Sequence, residues 1–242
     1  PLGRPCAPYS SKRNRGEDGM PTDSLINING ESVQTLEILF LTTMMALLPS
    51  MLVMMTSFTR YIISLSFLRN AMGTQQTPPN TVLVGIALFL TLITMNPALT
   101  RIQTEAWEPY TEQEIGAEEF VDRASVPLKE FMMANTQWRT VEMYCNLAHI
   151  DVPAEGEQAV QELPLRVIVP AFMTQELQEA FYIGFLLYIP FLLIDVVVSS
   201  TLMSMGMIML PPAMISTPFK LLLFVSVNGW QVLFSTLVQS VN

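Results

Sequence analysis

Charge is scarce in this 242-residue chain: Asp, Glu, Lys and Arg together make up 14% of it, where soluble domains carry roughly 25%. Cysteine and histidine are rarer still, with Cys6, Cys145 and His149 the whole supply. A Cys/His metal centre therefore lacks ligands, and a histidine-based triad would rest on His149 alone, which reads as an ordinary histidine in a helix. The chain has no glycine-rich phosphate loop, and its apolar runs hold no Ser–His or His-Glu-x-x-His arrangement. These absences point away from an enzyme and away from any cofactor. The net charge of −9 argues against a nucleic-acid partner, whose phosphates call for a basic surface.

What is abundant is apolar sequence, 50% of the chain, and its distribution predicts an all-α integral membrane protein with about four hydrophobic segments. Residues 1–35 are polar, carry Lys12, Arg13 and Arg15, lack periodicity and read as disordered. Position 1 is not Met, which leaves a removed signal peptide and a fragment both open. Residues 36–100 read as a hydrophobic helical hairpin. Ile38–Phe58 is 21 uncharged residues, long enough to span, with a kink expected at Pro49, and Thr81–Thr100 is the next uncharged run. Arg60 and Arg69 between them place the Arg60–Asn80 connector in the cytoplasm and the N-terminus outside.

Residues 101–179 break the pattern, with 15 Asp or Glu against five Lys or Arg and no spanning run. They read as an extramembranous, periplasm-facing helical region. Helices are expected over Glu118–Val126 and Leu128–Met143, with Phe120, Phe131, Val141 and Tyr144 available for one face. The carboxylates suggest a solvated acidic face rather than an acid–base pair. A Cys6–Cys145 disulfide stays open in an oxidising compartment. Thr174, with Glu176 and Glu179, predicts the start of the next helix.

Residues 180–242 form a second hydrophobic hairpin, 63 residues with two charges, Asp195 and Lys220. A charge inside an apolar run is costly and faces protein or water. Either the two residues form a structural ion pair or subunit contact, or they serve proton or substrate passage. Between them Met203, Met205, Met207 and Met209 alternate, with Gly206 inside the run and Pro211–Pro212 as a helix break after it. Period two suits an extended backbone and not a helix, so this stretch reads as a non-helical loop. At membrane depth such a loop must be buried in protein or line a cavity. The other reading is methionine as filler of an apolar core.

The ordered series MMTSFTR (Met54–Arg60), LRNAMGTQQTPPN (Leu68–Asn80), PLKEFM (Pro127–Met132), LPLRVIVPAFMTQEL (Leu163–Leu177), IDVVVSSTLMSMGMIMLPP (Ile194–Pro212) and PFKLLLFVSVNGW (Pro218–Trp230) closely resembles the FliP family. These are flagellar type III export-gate proteins, called SctR in virulence injectisomes. The resemblance implies a core pore-forming subunit of the export gate in the bacterial inner membrane, at the flagellar basal body, passing unfolded flagellar proteins. It implies five copies winding with FliQ and FliR into a helical oligomeric pore that lies mostly above the membrane plane, next to other export-apparatus and rod proteins. It assigns Met205, Met207 and Met209, about Gly206, to a methionine gasket. Asn228 stands where the family usually carries Asp. The rival reading from another class is a secondary transporter or ion channel using Asp195 and Lys220, for which no convincing internal repeat is present.

Overall fold

The computed structural model describes residues 26–28, 31–33, 35–74, 76–154, 156–207 and 209–241. The chain divides into two units, Pro1–Leu48 and Pro49–Asn242. The boundary falls inside helix α1 (Thr35–Met54), next to Pro49. In the first unit, strands β1 (Ile26–Ile28) and β2 (Glu31–Val33) pair antiparallel, Ile26 opposite Val33. This short pairing lies in the polar segment expected to be disordered; the rest of that expectation, and Cys6, lie outside the described residues.

The second unit is helical. It contains α2 (Phe58–Ala71), α3 (Asn80–Ile102), α4 (Glu108–Thr111), α5 (Ala117–Ala134), α6 (Trp138–Leu147), α7 (Glu157–Glu162), α8 (Leu165–Ser204), α9 (Pro212–Ser226) and α10 (Gly229–Gln239). A π-turn over Gln103–Trp107 joins α3 to α4 without a break. Two helical stretches are long and apolar enough to cross a membrane among the described residues, Asn80–Thr111 and Leu165–Ser204; α9 with α10, bent by 67°, makes a third if taken as one span.

Helix α2 replaces the expected connector. Tyr61, Ser64, Leu65, Leu68 and Ala71 recur at helical spacing and are all buried, so this stretch has a core face. Around it lies a first core: Leu83, Ala87 and Leu90 of α3, Phe191 of α8, Phe224 of α9, and Leu233 and Leu237 of α10. A second core joins Met132 of α5, Val141 and Cys145 of α6, Ala159 of α7 and Val167, Ile168, Ala171 and Phe172 of α8.

Helix α8 runs through both cores, and its start corrects the expectation at Thr174. It begins at Leu165, nine residues earlier, with Pro164 as N-cap, and passes through Pro170 and Pro190. Thr174 is interior; its hydroxyl donates to the Pro170 carbonyl and meets the Tyr144 hydroxyl at 2.8 Å. Likewise α5 continues through buried Pro127 and ends only at Ala134. The lost proline hydrogen bonds, roughly 3 kcal/mol in an isolated helix, are outweighed by burial of Met132, Phe172 and Phe191 close by. The expected aromatic face is recovered in pieces: Phe120 packs on Trp107 and Tyr110, and Phe131 on Phe172. His149 is exposed and lies beyond α6, not within a helix. It takes the left-handed conformation, φ 53°, while Ile150 N–H reaches back to the Cys145 carbonyl at 3.0 Å.

The α2–α8 contact is close because Gly184 faces Phe67: a Cβ on Gly184 would lie 2.5 Å from the Phe67 ring. Phe67 is held by an edge-on contact with Phe181. Gly184→Ala is expected to destabilise the protein by about 1–3 kcal/mol in thermal unfolding, and Phe67→Leu in that background to recover part of the loss; an unchanged melting temperature in Gly184→Ala counts against the crossing. Cys145 is a fully buried free thiol, and burial raises its pKa above the ordinary thiol value. In a Cys6→Ser variant at neutral pH, maleimide is expected to label Cys145 far more slowly in the folded protein than in denaturant. Equal rates exclude the buried position.

Candidate functional site

Three features of the second unit concentrate chemistry: two ion pairs and the methionine stretch. The first pair is enclosed. Arg60, at the start of α2, donates from Nε to Glu176 Oε2 at 2.9 Å and from Nη2 to Oε1 at 2.5 Å, with side-chain exposures of 2% and 0%. Its Nη1 donates to the Ser240 carbonyl at the end of α10. One guanidinium thus meets a carboxylate two-pronged, the geometry that only arginine offers, and also caps the negative end of a helix.

This pair corrects the membrane order expected from the arginines. That reading put Arg60 in the cytoplasm and Glu176 on the periplasmic side, yet a hydrocarbon core of about 30 Å cannot separate groups 2.5 Å apart. Arg60 is an interior charge, so it carries no orientation signal. Arg69, the other arginine of the connector, hydrogen-bonds from Nη1 to Asn80 Oδ1 at the start of α3.

The second pair brings together the two charges of the last 63 residues. Lys220 Nζ donates to Asp195 Oδ2 at 2.6 Å and to the Ala71 carbonyl at 3.0 Å. The Lys220 side chain is 6% exposed and that of Asp195 40%. The ammonium therefore ties α8 to α9 and caps the last turn of α2, whose terminal carbonyls have no partner inside the helix.

The methionine stretch begins inside a helix. Met203 belongs to the last turn of α8, and Met205 is its C-cap, in helical conformation, so the expected extended run does not start at Met203. Gly206 makes the turn at φ +77°, a left-handed conformation that glycine adopts freely. Its N–H reaches the Met203 carbonyl at 3.0 Å, and Met207 N–H reaches that of Leu202 at 3.0 Å. This is the double-bonded helix stop that glycine at this position permits. The chain then leaves the helix through Met207 and Met209 and enters α9 with Pro211 as N-cap and Pro212 at the first helical position, where a missing N–H costs nothing. Met203, Met205, Met207 and Met209 are all exposed, Met209 to 98%. In a single copy these side chains fill no core.

Farther on, Asn228 adopts φ 52° at the α9–α10 bend, a conformation asparagine tolerates better than most residues. No group of His, Cys, Asp and Glu that could hold a metal occurs among the described residues.

The FliP family model matches residues 41–237, which takes in both ion pairs and the methionine stretch. The chain belongs to the FliP family. It is 47% identical over 211 residues to the flagellar biosynthetic protein FliP of Aquifex aeolicus, covering 87% of each chain. It is 51% identical over 209 residues to that of Pectobacterium carotovorum, covering 86% of this chain and 78% of the relative. With that of Bacillus subtilis it shares 47% over 206 residues, 85% of this chain and 91% of the relative. Membership makes it a flagellar biosynthetic protein of the export apparatus, and its long apolar helices suit a membrane location.

Sequence reasoning found the Asp195–Lys220 neighbourhood and the methionine break, and missed the Arg60–Glu176 pair. Arg60→Ala or Glu176→Ala strands a buried charge and is expected to cost about 3–5 kcal/mol, read as loss of folded protein from membranes. Arg60→Lys should rescue little, for want of the fork. The double change Arg60→Met with Glu176→Leu should be milder than either alanine variant. Singles that are all harmless would show that the pair does not hold the fold.

Proposed function

We propose that the protein is a core pore-forming subunit of the flagellar type III export gate, and that Met205, Met207 and Met209 contribute to a gasket that closes the pore at rest. In this reading several copies, five by family resemblance, wind together with FliQ and FliR in the bacterial inner membrane at the basal body. Unfolded flagellar proteins pass through the centre. The acid-rich region faces the periplasm, beside rod proteins, and the gate performs no covalent chemistry of its own.

The observation that carries this reading is the methionine loop: apolar, exposed, turned by Gly206 and set between two helices that begin or end there. An exposed apolar loop finds no stable place in water, and hydrocarbon does not tolerate its unpaired backbone groups. Facing identical loops around an axis satisfies both demands. Methionine suits the task because it is unbranched and flexible, so a ring of such side chains closes on an irregular hole and yields to a chain of any sequence. The outer faces of α3, α8 and α9 support assembly as well. They present Phe89, Leu92, Phe185, Leu193, Phe219 and Leu222 outward, more apolar surface than a soluble monomer shows.

Replacing Met205, Met207 and Met209 together by Gly is expected to leave assembly intact and to make the resting membrane leak small ions and solutes. Membrane conductance, or solute-driven growth arrest, measures it against wild type. An assembled triple variant as tight as wild type returns these residues to plain packing.

A further inference from the structure

Beside the Arg60–Glu176 pair lies a polar cleft of about 200 Å³, bounded by the Asn135–Gln137 turn between α5 and α6, by Gln175 and Glu179 of α8, and by Arg60 and Ser240. Its charges do not balance. Arg60 is the cation in the lining, and its fork is taken up by Glu176. Glu179 forms no ion pair among the described residues; its Oε1 accepts a hydrogen bond from Gln175 Nε2 at 3.1 Å. Gln175 is 3% exposed, and its own Oε1 has no hydrogen-bond partner. A buried amide oxygen left unpaired costs free energy, and it stands next to a carboxylate that lacks a cation. Both call for a donor, and the carboxylate calls for a positive one.

The same acid-rich region supplies cations with no carboxylate of their own. Arg101 is paired with Glu105 and Glu130, and Arg123 with Glu119. Arg139 and Arg166 are exposed and form no ion pair among the described residues. Arg139 lies two residues from the cleft-lining Gln137, and Arg166 nine residues before Gln175 on α8. A surface that offers both an acceptor cleft and unpaired arginines can pair with a second copy of itself, head to tail where the two lie apart. The cleft, of about 200 Å³, has room for a guanidinium, which can engage a carboxylate and an amide oxygen together through its five donors.

We propose that the Gln175–Glu179 cleft receives Arg139 or Arg166 of a second copy of this chain and so sets the register between neighbouring copies. The proposal rests on the multi-copy gate reading. A charge-assisted hydrogen bond of this kind shifts an association equilibrium by roughly tenfold or more.

The test is the native mass of the full-length protein extracted in detergent. Glu179→Arg is expected to lower the multi-copy fraction roughly tenfold, and Glu179→Gln to lower it less. Combining Glu179→Arg with either Arg139→Glu or Arg166→Glu should restore assembly in one of the two pairings and so name the arginine. Glu179→Arg assembling like wild type overturns the proposal, as does failure of both pairings. Where Glu179→Arg yields no folded protein, the exposed changes Arg139→Glu and Arg166→Glu carry the test alone: one must weaken assembly, and its Arg→Lys counterpart must weaken it less. Neither weakening it overturns the cleft. Wild type that is itself a single copy defeats the multi-copy reading; a multi-copy wild type with an indifferent Glu179→Arg defeats this proposal only.

Discussion

Arg60 and Glu176 lie 116 residues apart in sequence and meet where water does not reach. Two buried charges are tolerable only if each satisfies the other, so the pair fixes where α2 begins against α8. Phe67 against Gly184 repeats the contact seven and eight residues on, and so the two helices run parallel. At the far end of α2 the Ala71 carbonyl is taken by Lys220, itself held by Asp195. A 14-residue helix with a modest apolar face is thereby clamped at both ends by cations that also hold acids from α8. The first core packs around a helix whose position the charges have already restricted.

Why α2 escaped sequence reading follows from the same chemistry. Tyr61, Leu65, Leu68 and Met72 carry the helical period, but Arg60 and Arg69 flank them, and rules for loop charges assume that the charge sits in water. Nothing local in sequence distinguishes an arginine in a loop from one whose acid lies on a distant helix. Pro127 misled in a similar way, for separate helices were expected on either side of it. Pro127, Pro170 and Pro190 all sit inside helices, because long-range packing on both sides outweighs a local penalty. Where breaks were legible, several local signals agreed: Gly206 supplies the left-handed turn and Pro211–Pro212 bars the helix from continuing. Even there Met203 was misplaced, since a period of two over four residues cannot mark the residue at which a helix stops.

Helix α8 explains how an acid-rich region and apolar segments form one unit. Its 40 residues make a rod of about 60 Å, twice the thickness of a hydrocarbon core. The first part buries Val167, Ile168, Ala171 and Phe172 against α5, α6 and α7. The later part packs Phe191 inward and presents Phe185, Leu192, Leu193 and Val197 outward. The packing partners thus change along a single helix, which joins the acid-rich region to the end that bears Met205 without an intervening loop.

That end is a loop between two braced legs. Asp195 lies nine residues before the last residue of α8, and Lys220 eight residues after the first of α9; at 1.5 Å per residue the two legs extend about 13 and 12 Å beyond their ion pair. The near equality lets both legs reach the loop together, and the pair holds them side by side at 2.6 Å between Nζ and Oδ2. Past Gly206 the chain exposes the unbranched side chains of Met207 and Met209, while the backbone on either side is helical. In the proposed gate, a closure that gives way to a passing chain and re-forms would draw on this division, with flexible methionine side chains carried on a helical frame.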